Sequence, residues 1–216
     1  MKALYAYARA QAHWSWLLPP LWLGVMLIYL FASHTDPNER QVGDLYSIFE
    51  YFLPLALALY LAEAPAFEQD QGAAETHLGY AQWPSVRLAL LALPGLLVWA
   101  AGVAAALAVV HFAYLPDQSR PLLDVLSRPA LALGGVALAG TALARTQIGG
   151  ITAAFLWWAL DALGQGMVGK QFFLFRVSIT TGLYTPEVQG RNIALVGAAG
   201  LGLALWMAHR RRWWVR

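Results

Sequence analysis

Long runs of apolar residues, separated by short polar stretches, are the dominant pattern along this chain. An α-helix that crosses the hydrocarbon core of a bilayer needs roughly 17–25 mostly apolar residues. Six stretches fit that requirement, some of them loosely, because the third is longer and the fifth slightly shorter than this range: residues 14–32, 46–62, 86–115, 125–144, 148–163 and 192–208. The pattern therefore predicts an all-α integral membrane protein with six transmembrane helices.

Two further segments are apolar but do not fit a membrane span. Residues 1–13 collect small and apolar side chains on one helical face, which is typical of an interfacial helix lying on the membrane surface. Residues 171–184 are interrupted by Arg176 and Gly182 and are too short to cross. We expect them to form a re-entrant hairpin on the outer side, between helices five and six. No linker or internal repeat divides the chain, so a single domain, 1–216, is predicted.

The composition agrees with an apolar surrounding solvent. Apolar residues make up 59% of the chain and charged residues 12%, about half of the roughly 25% that soluble domains carry. A soluble enzyme is therefore not expected. The chain has no cysteine, which excludes disulfides and cysteine-ligated metal centres. The N-terminal sequence lacks a short apolar segment followed by a cleavage site, so we expect no removable signal peptide.

The distribution of charges predicts the orientation. With six spans, both termini share one side with the loops 63–85 and 144–147. That side carries eight basic and four acidic residues, whereas the other carries six basic and eight acidic residues. The positive-inside rule then predicts that both termini lie in the cytoplasm. We expect the chain to reside in the plasma or inner membrane of the cell. The basic C-terminal residues 209–216 can bind anionic lipid headgroups.

The sequence contains one incomplete nucleotide-binding motif and no catalytic constellation. Residues 164–170 match G-x-x-x-x-G-K, but Gln171 stands where the phosphate-binding loop needs Ser or Thr. No serine lies in a G-x-S-x-G context, and the five histidines have no metal-ligand spacing. We therefore predict no catalytic residue, no cofactor and no metal site. The net charge of +2 indicates no nucleic-acid partner.

The loop after the second span carries the most informative sequence. Residues 63–87 read EAPAFEQDQGAAETHLGYAQWPSVR. This segment resembles the loop between the second and third spans of ABC-2-type transporter permeases, which has an acidic E-x-x-x-G-[TS]-x-E run followed by P-x-[SP]-R-like residues. Glu68, Gly72 and Glu75 match the run, Ala73 stands where Thr or Ser is usual, and residues 83–87 match the later element. The six spans and the N-terminal interfacial helix resemble the same family.

The resemblance implies a transport mechanism. The loop would form a coupling helix that docks on a separate cytoplasmic ATPase subunit, and two permease subunits would form the path. The docking surface implied by the resemblance comprises Glu68, Asp70, Gly72, Glu75, Thr76 and His77. ATP hydrolysis is then expected on the partner chain. A Gly-rich, apolar path indicates a hydrophobic or amphipathic substrate. The alternatives are a non-transporting membrane scaffold or assembly subunit and, more remotely, a membrane enzyme.

Two acidic residues fall inside predicted spans. Glu50 begins the second span and Asp161 lies near the end of the fifth. Ionisable groups at membrane depth are costly and often functional, so both are candidates for lining a substrate path. Because both lie near the predicted outer boundary, hydration of the two carboxylates is the alternative. His111, in the third span, is a weaker candidate.

Small residues and tryptophans complete the pattern. Glycines in the fourth and sixth spans, which let helix backbones approach closely, are expected to mark packing seams: Gly134, Gly135, Gly140, Gly197, Gly200 and Gly202. Tryptophans cluster near the span ends, where an interfacial aromatic belt is expected.

Overall fold

The computed structural model describes residues 50–63, 84–113, 119–164, 172, 174–175 and 186–210. These residues form five α-helices, and no strand occurs among them. We number the helices α1 (residues 50–63), α2 (Pro84–Ala113), α3 (Ser119–Ala144), α4 (Gln147–Gly164) and α5 (Pro186–His209). The all-helical prediction is therefore confirmed for the described part of the chain.

Each of the five helices overlaps one of the predicted spans, from the second to the sixth. The predicted fifth span, 148–163, differs from α4 by one residue at each end. The predicted first span, the interfacial helix 1–13 and the coupling loop residues 64–83 lie outside the described residues. Of the predicted hairpin 171–184, only Phe172, Leu174 and Phe175 are described, and the latter two are buried.

Helices that follow one another in the sequence alternate in direction, as in α1 and α2, where Gly95 faces Tyr60 and Trp99 faces Leu53. α1 runs antiparallel to α4, because Tyr51 meets Trp158 at one end of the pair and Glu63 meets Gln147 at the other. α3 and α5 run parallel, and their contacts advance together along both helices. Arg128 lies against Gly190, Leu131 against Gly197, and Gly135 against Gly197 and Gly200.

The seam between α3 and α5 consists of glycines. A Cβ atom placed on Gly135 would collide with the main chain of Gly197, and one placed on Gly200 would collide with the main chain of Gly135. Gly197 and Gly200 therefore allow two helix backbones to touch directly. Gly202 does not belong to this seam, because a Cβ there would meet nothing within 4 Å. The expectation that Gly202 marks a packing face is wrong.

A tight turn joins α3 to α4. Arg145 adopts a positive φ of 54°, the left-handed conformation that often ends a helix. The main-chain N–H of Gly149 then donates to the carbonyl of Thr146 at 3.1 Å and lies 3.3 Å from its hydroxyl oxygen. Gly140 and Gly149 pack closely beyond the turn. The turn holds α3 and α4 as an antiparallel hairpin.

Side chains are sorted in an unusual way between the interior and the surface. Glu50, Thr141 and Asp161 are buried among alanines and leucines. Large apolar side chains on α2, α4 and α5 are exposed, with Phe112 at 85% and Leu163 at 86%. Within the described residues, one helical stretch, Val188–His209, is both long and apolar enough to span a bilayer, and Leu91–Ala105 is apolar but shorter.

Candidate functional site

Pro54 interrupts the hydrogen bonding of α1 near its described N-terminal end. Proline has no N–H, so the carbonyl four residues earlier, that of Glu50, loses its helical donor. Tryptophans from two other helices bind carbonyls beside this break. The indole N–H of Trp158 donates to the carbonyl of Tyr51 at 2.7 Å, and that of Trp99 donates to the carbonyl of Leu53 at 2.9 Å. These bonds fix α4 and α2 against the first described turn of α1.

Aromatic rings gather around the same end of α1. The ring of Tyr51 stacks on that of Phe175 with centroids 4.0 Å apart and meets Trp158 edge-on at 6.5 Å. Trp158 in turn stacks against Phe155 at 5.5 Å and lies 6.3 Å from Phe52. Residues from α1, from α4 and from positions 174–175 therefore meet in one aromatic cluster.

Asp161 lies in this cluster, and only one of its two carboxylate oxygens accepts a hydrogen bond. Its side chain is 1% exposed, and Oδ2 accepts a hydrogen bond of 3.0 Å from the main-chain N–H of Leu174. The other oxygen, Oδ1, is buried without a hydrogen-bond partner, as is the indole nitrogen of Trp157 one helical turn earlier. The indole is near enough to interact with the carboxylate, but the two do not form a hydrogen bond. Most buried polar atoms have a partner, so this pair stands out.

Glu50 is the second acid of the cluster. Its side chain is fully buried and it precedes Tyr51 on α1. The structure therefore brings the two predicted pathway residues, Glu50 and Asp161, to the same end of the helix bundle and buries both. Hydration at a surface, the alternative considered for them, is not what this chain shows. We call Glu50, Tyr51, Trp157, Trp158, Asp161 and Phe175 the acid–aromatic cluster.

The opposite end of α1 leads into the predicted coupling loop. The side-chain amide of Gln147 donates to Glu63 Oε1 at 2.8 Å, and the hydroxyl of Thr141 donates to the carbonyl of Ala62 at 3.2 Å. α1 is thus joined to both helices of the α3–α4 hairpin at the point where the loop begins. The predicted docking residues themselves lie outside the described residues: Glu68, Asp70, Gly72, Glu75, Thr76 and His77.

Sequence reasoning missed several of these contacts. Trp157 and Trp158 were expected in an interfacial belt, whereas their indole nitrogens lie inside the bundle. Pro54 indicates that one carbonyl of this span, that of Glu50, lacks its helical donor, but it does not predict which carbonyls the tryptophans bind. Trp206 fits the belt, because it is 55% exposed and carries the guanidinium of Arg210 over its ring at 4.0 Å.

The remaining titratable residues do not assemble a second site. His111 is exposed and packs edge-on against Phe112 at 5.0 Å, away from the acid–aromatic cluster. Within the described residues, no three His, Asp or Glu side chains come close enough together to hold a metal ion.

Comparison with known proteins identifies no relative of this chain. No family model matches its sequence, and neither a curated protein nor a solved structure matches it significantly. Its function therefore has to be inferred from its own residues and their geometry.

Proposed function

We propose that this chain is the membrane-spanning permease subunit of an ABC-2-like exporter, with six spans and both termini in the cytoplasm. A separate ATPase would dock on residues 63–85, and a second permease copy or homologue would complete the path. The main support for a location in the membrane is the distribution of side chains: carboxylates lie inside the bundle and large apolar groups lie on its surface.

The exposed apolar groups support lipid as the surrounding solvent. Leu97 on α2, Ile148 and Leu163 on α4 and Leu195 on α5 are each at least 60% exposed. Each such side chain forgoes about 1.5–3 kcal/mol that burial away from water would supply. In hydrocarbon that loss disappears, and the same groups become favourable contacts. The alternating directions of the five helices are consistent with repeated crossing of a bilayer.

The geometry of α1 supports coupling through the loop that follows it. Glu63 begins this loop, and its bond to Gln147 connects it to the start of α4. A displacement of the loop would therefore be passed to α1 and to the α3–α4 hairpin together. Rigid-body shifts of packed helices are a known means of converting docking events into opening and closing. The ATPase itself is proposed on the resemblance of residues 68–87.

The test is to purify the chain from its native membrane and to identify the proteins that copurify with it. The tagged chain should remain in membranes after an alkaline carbonate wash and should copurify in mild detergent with an ATP-hydrolysing subunit. Reversing Glu68 and Glu75 to Arg should abolish that copurification. Reversing Asp36 and Glu39, two acids of the predicted outer loop, provides the matched control and should leave it intact.

Two results would separate the proposed permease from its alternative. If the Glu68 and Glu75 reversals leave the ATPase bound and transport intact, the coupling assignment is wrong. If the chain stays in the membrane fraction and copurifies with other membrane proteins but with no ATPase, a non-transporting scaffold or assembly subunit replaces the permease.

A further inference from the structure

We infer that the acid–aromatic cluster is a binding site for a lipophilic organic cation, with Asp161 holding the positive charge. This inference deepens the proposed function, on which it rests, because it names the chemical class of the substrate. The geometry at Asp161 carries it: a buried carboxylate offers one oxygen to a main-chain N–H and leaves the other without a partner.

A buried carboxylate with a free oxygen is a position of high affinity for positive charge. Removing a carboxylate from water costs several kcal/mol after relaxation, and a single hydrogen bond offsets only part of that. Within the described residues, Asp161 accepts one hydrogen bond, from the main-chain N–H of Leu174. A cation that reaches Oδ1 would be stabilised by an electrostatic interaction in a weakly screening medium.

The surroundings favour an organic cation over a metal ion. Metal ions take several oxygen, nitrogen or sulfur ligands, and the described residues bring no three His, Asp or Glu side chains together. Aromatic residues lie near Asp161 instead. Trp157 and Trp158 lie one turn before it on α4, and Phe175 follows Leu174 directly. Aromatic faces attract quaternary ammonium and related cations, and their apolar bodies suit lipophilic substituents.

The position of the cluster connects it to the proposed motor. The cluster contains Glu50 and Tyr51 at the start of the described part of α1, and the coupling loop begins at Glu63. Residues 50–63 span about 20 Å at the rise of an α-helix. One helix therefore runs from the binding site to the loop, so a bound cation and a docked ATPase would act on the same element.

The test uses tetraphenylphosphonium, a lipophilic cation, and tetraphenylborate, an anion of matched size and shape. Binding of each radiolabelled ion to the purified chain in detergent is measured at equilibrium. The wild type should bind the cation saturably and the anion not at all. Asp161→Asn retains an oxygen that accepts from Leu174 N–H but loses the charge. It should weaken cation binding at least about tenfold while its melting temperature stays near that of the wild type.

Glu39→Gln, in the predicted outer loop, is the matched control and should bind the cation as the wild type does. Equal binding by wild type and Asp161→Asn would overturn the inference, and so would absence of saturable binding to the wild type. Copurification of the ATPase is scored on the same preparations. If the wild type binds no cation although the ATPase copurifies, only this site is refuted, whereas cation binding by the wild type without any ATPase refutes only the permease.

Discussion

The indole nitrogen of Trp158 donates a 2.7 Å hydrogen bond to the main-chain carbonyl of Tyr51, joining two helices across 107 positions of the sequence. The acceptor lies within the turn of α1 that Pro54 disrupts. The tryptophan comes from the antiparallel helix α4 and binds a carbonyl next to that of Glu50, the one that Pro54 deprives of its helical donor. The same contact positions the aromatic rings around Asp161.

Replacing this indole should destabilise the bundle without removing its aromatic packing. Trp158→Phe keeps a ring but removes the hydrogen bond to the carbonyl of Tyr51, which should cost about 0.5–1.5 kcal/mol. The measurement is the thermal unfolding midpoint in detergent. Trp206→Phe, at an exposed position, should change stability by less than about 0.5 kcal/mol. Equal midpoints for the two variants would show that the Trp158 hydrogen bond contributes nothing.

The glycine seam gives a second prediction. Gly135→Ala places a methyl group against the main chain of Gly197, and overpacking of this kind costs about 1–3 kcal/mol. Gly202→Ala enters open space and should be neutral or stabilising by up to about 1 kcal/mol, because alanine is the better helix former. Unfolding midpoints of the two variants provide the comparison. If Gly135→Ala is as stable as Gly202→Ala, α3 and α5 do not meet at this seam.

The contrast between these two glycines shows where sequence reasoning ended. The existence of a helix follows from the length of an apolar run, and five predicted runs overlap helices of the structure, although α3 and α5 each begin six residues before the predicted span. The rotation of a helix about its axis does not follow, because residues on every side of α5 are apolar or small. Gly200 and Gly202 are two positions apart, yet one contacts Gly135 and the other contacts nothing. Only the packing partner distinguishes them.

The sequence likewise predicted which acids belong to the candidate site but not how they are buried. Glu50 and Asp161 stand out in the sequence as acids inside apolar runs. Their burial could not be read from it, since for Asp161 it depends on Leu174, 13 positions later, returning to the end of α4. The partnership of Trp158 with Tyr51 depends likewise on which faces of α1 and α4 meet.

The turn between α3 and α4 offers a third prediction. Arg145 occupies a left-handed conformation that costs a residue other than glycine about 1–2 kcal/mol. Arg145→Gly should therefore be more stable than Arg145→Ala by about 1 kcal/mol, and both remove the same charge. Chemical denaturation of the purified variants would measure the difference. An alanine variant that is the more stable of the two would contradict the turn geometry.

Contacts at the end of α1 near Glu63 give a fourth prediction. Thr141→Val preserves the shape of a buried side chain but removes the hydroxyl that donates to the carbonyl of Ala62. We expect a loss of about 1 kcal/mol in unfolding free energy, together with weaker stimulation of the partner ATPase by tetraphenylphosphonium. Thr152→Val, at an exposed position on α4, is the control and should change neither quantity. A Thr141→Val protein with normal stimulation would remove this contact from the coupling route.

The membrane-crossing topology is the claim on which the rest depends, and cysteine labelling tests it most directly. The chain has no cysteine of its own, so Asp36→Cys and Gly72→Cys each report on one predicted loop. In intact cells, a membrane-impermeant maleimide should label position 36 but not position 72, and permeabilisation should expose position 72. Labelling of both positions in intact cells, or of neither until the cells are broken, would contradict the account.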